Sequence, residues 1–135
     1  MMFLLLSIFT GSLQTDFQKK TDQPHPFEPC PGTPNCVIHS VEYDIPQSEI
    51  YSIVIETLKK MGPHQHSANR EIFRVDAVFR IPVFGFKDDV KISVERIDES
   101  KSVLHIKSAS RVGYGDLGVN SRRVKRFFNH LNQQN

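Results

Sequence analysis

Three stretches between Ile72 and Ser108 alternate apolar with polar side chains, and the connections between them are short. In the first, Phe73, Val75, Ala77, Phe79 and Ile81 share one face while Arg74, Asp76 and Arg80 take the other, the two-residue repeat of a strand. Pro82 ends its ladder, since proline has no N–H to donate. Val90, Ile92 and Val94 mark the second strand. After the turn Asp98-Glu99-Ser100-Lys101-Ser102, the residues Leu104, Ile106 and Ser108 mark the third. Parallel neighbours need long crossovers, so these strands must pair antiparallel. A sheet that is apolar on one face must bury it. Pro46 opens a helix that sets Ile50, Val54, Leu58 and Met61 on one side, with Ile53 beside them, and Gly62-Pro63 stops it. Val124, Phe127, Phe128 and Leu131 form a second helical stripe. Val41, Tyr43 and Ile45 alternate as a short first strand that fits either sheet edge. The predicted fold is α+β and two-layered: an antiparallel sheet of about four strands with two amphipathic helices on one face, in the order β-α-β-β-β-α.

A chain of 135 residues makes one domain once its ends are set aside. Residues 1–13 are a signal-like or anchoring apolar segment, too short to span a bilayer comfortably, with Thr10-Gly11-Ser12 near a cleavage point but no basic n-region before it. A hydrophobic terminus packed on its own domain is the plainer reading. Residues 14–29 are polar, with Pro24, Pro26 and Pro29, and read as an extended linker. The domain itself is expected over residues 30–135. An exported location follows, periplasmic or membrane-associated on the non-cytoplasmic side, and there Cys30 and Cys36 are expected to form a disulfide. In a reducing compartment they would be free thiols. Metal binding is the weaker reading, because two thiolates need two further ligands and His39 is the only close candidate. His64 and His66 read as polar loop residues. No metal and no cofactor are expected.

Formal net charge is +2, yet from Lys107 to Arg126 six cations face the single carboxylate Asp116. The basic surface is therefore local. It coincides with a segment broken by Gly113, Gly115 and Gly118 before the second helix. Two readings stand side by side. In one, the glycines permit positive φ, Tyr114 and Asp116 hold the loop, Asn120 caps the helix, and Ser108 and Ser110 satisfy backbone groups. In the other, exposed amides before a helix N-terminus, flanked by Arg111, Arg122 and Arg123, bind a small anion. The segment is neither a P-loop nor the dinucleotide G-x-G-x-x-G.

Two blocks, Cys30-Pro31-Gly32-Thr33-Pro34-Asn35-Cys36-Val37 and the run from Phe79 through Arg123, carry a resemblance. The second contains Phe84-Gly85-Phe86-Lys87-Asp88-Asp89-Val90 and Ser108-Ala109-Ser110-Arg111-Val112-Gly113-Tyr114-Gly115-Asp116-Leu117-Gly118-Val119-Asn120. In both the chain is similar to the bacterial and plastid family called domain of unknown function 1499. It departs from the family's usual pair of serines after Asn-Cys-Val, reading Ile38-His39-Ser40 instead. The resemblance implies a small exported or lumenal domain and brings no catalytic activity with it.

Asp88 and Asp89 are adjacent in a strand, so their side chains point to opposite faces and make no ready acid–base dyad. One of them can reach Arg111 or Arg122 as an ion pair. Ser108 and Ser110 lack the G-x-S-x-G setting, and His105 falls on the other face from both. Nucleic acid is not an expected partner. The working expectation is an accessory or ligand-binding domain whose segment 108–123 takes a small anion or a protein partner, with a membrane surface as a further candidate. A hydrolase-like enzyme using Asp88, Asp89 or Asp116 with Arg111 is the alternative. Phe84 and Phe86 with Lys87 occupy a connection where polar residues would be ordinary; they either close the core or form a contact tip.

Overall fold

The computed structural model describes residues 18–21, 23–81, 85–113 and 117–133. Its elements are β1 (Gln18–Lys20), β2 (Cys36–Tyr43), α1 (Gln47–Lys60), β3 (Gln65–Asn69), β4 (Arg74–Arg80), β5 (Lys87–Asp98), β6 (Lys101–Ser110) and α2 (Val119–Asn132). The sheet runs β1-β2-β6-β5-β4-β3, with every neighbouring pair antiparallel. The α+β class and the two helices agree with the sequence, but the strands are six rather than about four. Both additions are edge strands. β3 is exposed at every residue, so it carries no apolar alternation and reads as loop; its pairing with β4 is a matter of backbone alone. β1 lies within the expected linker and pairs with β2. β2 is thereby an inner strand, joined to β6 from Cys36↔Ala109 to Tyr43↔Ser102.

One face of this sheet and two helical stripes close the core. Val75, Ala77 and Phe79 of β4, Val90, Ile92 and Val94 of β5, and Leu104 and Ile106 of β6 meet Ile50, Val54 and Leu58 of α1 and Val124, Phe127 and Leu131 of α2. Each of these side chains except Ala77 contributes roughly 1.5–3 kcal/mol when fully buried. α1 stops where Gly62 turns to φ 70°, a conformation open to glycine without a Cβ clash. β4 begins at Arg74 rather than Ile72, because Phe73 sits in the left-handed region at φ 54° and interrupts the ladder. Its ring still packs edge-on against Tyr51, with centroids 5.3 Å apart. No helix among the described residues is long and apolar enough to cross a membrane.

The opposite face is not left bare. Residues 23–30 run along it: the Lys107 ammonium donates to the Glu28 carbonyl at 2.7 Å, and the Arg74 guanidinium lies 6.0 Å from the Phe27 ring centre. A disulfide joins Cys30, at the end of this stretch, to Cys36 at the start of β2. A ring this small should add about 2 kcal/mol by restricting the unfolded chain. Reduction is therefore expected to lower Tm by roughly 10 °C in calorimetry of the oxidised and reduced protein. An unchanged Tm would show that the loop keeps its shape without the bridge.

Candidate functional site

The glycine segment begins where β6 ends. Ser108 and Ser110 lie on the helix-covered face of that strand, and Gly118, at φ 78°, occupies the N-cap position of α2 without any side-chain cap. A Cβ there would meet the Arg122 guanidinium at 2.9 Å. Asn120 is not the cap the sequence suggests. It is fully buried within the first turn, where it organises the segment. Its carbonyl accepts from Ser108 Oγ at 2.5 Å and Arg123 Nη1 at 2.8 Å, while its amide donates to Ser110 Oγ at 2.9 Å and the Asn35 carbonyl at 3.3 Å. Asn35 in turn donates to the Gly113 carbonyl at 2.6 Å and accepts from the Ser110 amide at 3.0 Å. The disulfide loop and the glycine segment are therefore one polar unit. Asn35 is the member the sequence reading missed; a buried asparagine beside a proline gives no periodic signal.

Asp88 and Asp89 take opposite faces, as their adjacency requires. Asp88 is wholly buried, its Oδ2 2.8 Å from Nη2 of Arg123, which is itself only 8 % exposed. Neither Asp88 oxygen accepts a well-directed hydrogen bond, so the pair is held chiefly by charge at close range. The directed bonds from Arg123 Nη1 go to Asn120 and to Ser108 Oγ at 3.2 Å, and its plane lies 4.9 Å over the Phe79 ring. On the outer face, Asp89 accepts from Arg111 Nε at 3.0 Å and Nη2 at 2.9 Å. That carboxylate raises the Arg111 pKa further above its ordinary value. The two carboxylates thus meet different arginines on different sides of the sheet and do not converge. Tyr114, Asp116 and Phe84 lie outside the described residues. Among the described residues no group of His, Cys, Asp and Glu is arranged to hold a metal ion.

Of the three arginines expected to flank an anion, Arg111 is engaged by Asp89 and Arg123 by Asp88. Arg122 is different. It donates to the Leu117 carbonyl at 2.7 Å and lines a cleft of about 530 Å³ between the end of β4, the end of α1 and the first turns of α2. Met61, Phe79, Ile81 and Val119 make the apolar part of this cleft. Arg80, Arg122 and Arg126 supply its charge, with Arg123 behind them. Among the described residues no carboxylate forms a salt bridge with Arg80, Arg122 or Arg126. Arg122 and Arg126 are one helical turn apart, a spacing that places them together and was legible in the sequence. Arg80 joins them only through the tertiary fold. Nearby, Phe86 is 50 % and Leu117 92 % exposed, while Lys87 is half-buried. Phe86 accepts at its carbonyl from Ile81, so it sits at the same sheet end as the cleft.

A family model described as "Protein of unknown function (DUF1499)" matches residues 26–131. No curated protein matches the chain. Among solved structures, it is similar to a START superfamily protein from Mycobacterium smegmatis, at 14% sequence identity and a TM-score of 0.45, over 73% of this chain and 95% of that one. The family match takes in the disulfide loop, the whole sheet from β2 onward and the arginine-bearing turns of α2, and on that match the chain belongs to the DUF1499 family.

Proposed function

We infer that the protein is an exported accessory domain that binds an organic anion with an apolar portion, in the manner of an anionic lipid, at the arginine-rimmed cleft. The observation that carries this reading is the convergence of Arg80, Arg122 and Arg126 over Met61, Phe79, Ile81 and Val119. Like charges held near one another repel, and an anion relieves that repulsion. The apolar floor gains by losing water to a hydrocarbon portion. Exposed Phe86 and Leu117 beside the cleft support contact with a lipid surface, which is negatively charged on many membranes. The Cys30–Cys36 bridge supports an oxidising compartment. The separate pairing of Asp88 and Asp89 favours this binding role over the hydrolase alternative.

The test uses the full chain at low salt, with vesicles of phosphatidylcholine alone or mixed with phosphatidylglycerol, and inorganic phosphate as a headgroup-free control. Wild type is expected to sediment with the anionic vesicles only. Arg80→Glu with Arg126→Glu should weaken that binding on the order of 100-fold or more, since each basic residue near such a surface is worth about 1 kcal/mol. Stabilisation by phosphate without vesicle binding would assign the cleft to a free anion and end the lipid reading. No response to either would end the anion reading.

A further inference from the structure

The outer face of the sheet carries a second arrangement, remote from the arginine cleft. Ser40 of β2 stands directly opposite His105 of β6, and Glu95 of β5 lies one diagonal step away, opposite Val103. Ser40 Oγ is 2.7 Å from Nδ1 of His105, and Nε2 is 3.0 Å from Glu95 Oε1. An ionised glutamate only accepts, so the ring proton resides on Nε2 and the Nδ1 lone pair receives the Ser40 hydroxyl. This is a nucleophile, a base and a group that orients the base, each within hydrogen-bond reach of the next. His105 is fully buried. Burial lowers its pKa, against the raising influence of the Glu95 hydrogen bond and charge, with a smaller lowering from His25. Burial therefore favours the neutral imidazole, whose Nδ1 lone pair meets the Ser40 hydroxyl.

A network that only satisfied buried polarity would need no opening. Ser40 instead lines a cleft of about 400 Å³ beneath the N-terminal segment, together with Gln23 and His25. Nδ1 of His25 accepts the Phe27 amide at 3.3 Å, which leaves its proton on Nε2. Gln23 and His25, whose side chains carry N–H donors, line the same cleft, and such donors are the kind of group that stabilises an oxyanion.

We propose that Ser40, His105 and Glu95 form a nucleophilic site that hydrolyses carboxylic esters. Ser40 Oγ bonds to the ester carbonyl carbon while its proton passes to His105 Nδ1. The carbon–oxygen bond to the alcohol breaks, and the leaving oxygen takes that proton. Water then adds to the acyl-serine, giving its proton to His105. The bond to Ser40 breaks, Ser40 regains the proton, and the acid departs. Ester and water become acid and alcohol with no other reactant. Glu95 is a positioning residue, which holds the tautomer.

A fluorophosphonate tests this on the oxidised full chain. Ser40 Oγ would bond to phosphorus, fluoride would leave, and the proton would pass to His105. Peptide mass spectrometry is expected to find the adduct on Ser40, absent in Ser40→Ala and formed on the order of 100-fold more slowly in His105→Gln. The Glu95 side chain is 43% exposed, so Glu95→Gln is expected to keep the fold and to decide the matter should His105→Gln not fold. It should slow labelling and move the inflection of the labelling rate to lower pH, because the carboxylate that raises the His105 pKa is gone. A purely structural Glu95 would leave that inflection in place. Folded wild type without a Ser40 adduct overturns the proposal, as does an adduct whose rate and pH profile Glu95→Gln leaves unchanged.

Discussion

Asp88→Ala is expected to destabilise the domain by about 3–5 kcal/mol, the cost of leaving a buried charge without its partner. Arg123 is only 8 % exposed and cannot recover its hydration by turning outward, because its guanidinium is tied to Ser108 and Asn120 and stacked on Phe79. The neighbouring substitution makes the contrast. Asp89→Ala removes a half-exposed partner of Arg111, which stays in water, so stability should hardly change. Removing both buried partners together, as Asp88→Leu with Arg123→Leu, should restore most of the loss, since the desolvation cost disappears with the charges. Urea unfolding of the three variants checks this. A loss below about 1 kcal/mol for Asp88→Ala would mean that water reaches Arg123, and the buried-pair account would fail.

Phe127→Ala is expected to cost about 3–5 kcal/mol, combining lost apolar burial with the cavity left behind. Phe127 has no exposed surface and packs edge-on against Phe128, with ring centres 5.3 Å apart. The total stability of a domain this size is commonly about 5–15 kcal/mol, so much of the margin would go. The effect should not stop at stability. α2 carries Arg122, Arg123 and Arg126, and Phe127 is among the side chains that seat it on the sheet. Anionic vesicle binding should therefore fall with the melting temperature, whereas Phe128→Ala, at a half-buried position, should cost less and spare binding. Thermal unfolding and vesicle sedimentation of both variants give the comparison. Full binding by a destabilised but folded Phe127→Ala protein would show that the cleft does not depend on the seating of α2.

Periodicity alone was enough for the two helices, the three long antiparallel strands and the core face. Those features follow from side chains spaced along one element, as with Ile50, Val54 and Leu58 or Val90, Ile92 and Val94, and one buried face is a local property of a strand or helix. The opposed directions of Asp88 and Asp89, and of His105 against Ser108, were legible for the same reason. β1 and β3 were not, because an edge strand is specified by its partner's unpaired backbone groups, and β3, exposed at every residue, needs no apolar pattern. Pairing across elements also lay outside any local pattern. Which arginine meets Asp88, how Asn35 reaches Asn120, and how Arg80 joins Arg122 and Arg126 depend on the placement of α2 over the sheet. Ser40 is 65 residues from His105, while Glu95 is 10 residues from it across the β5–β6 turn, and the three meet only through the registers of β2, β6 and β5. Local spacing determines which face a residue shows, whereas strand register and helix docking decide what stands opposite it.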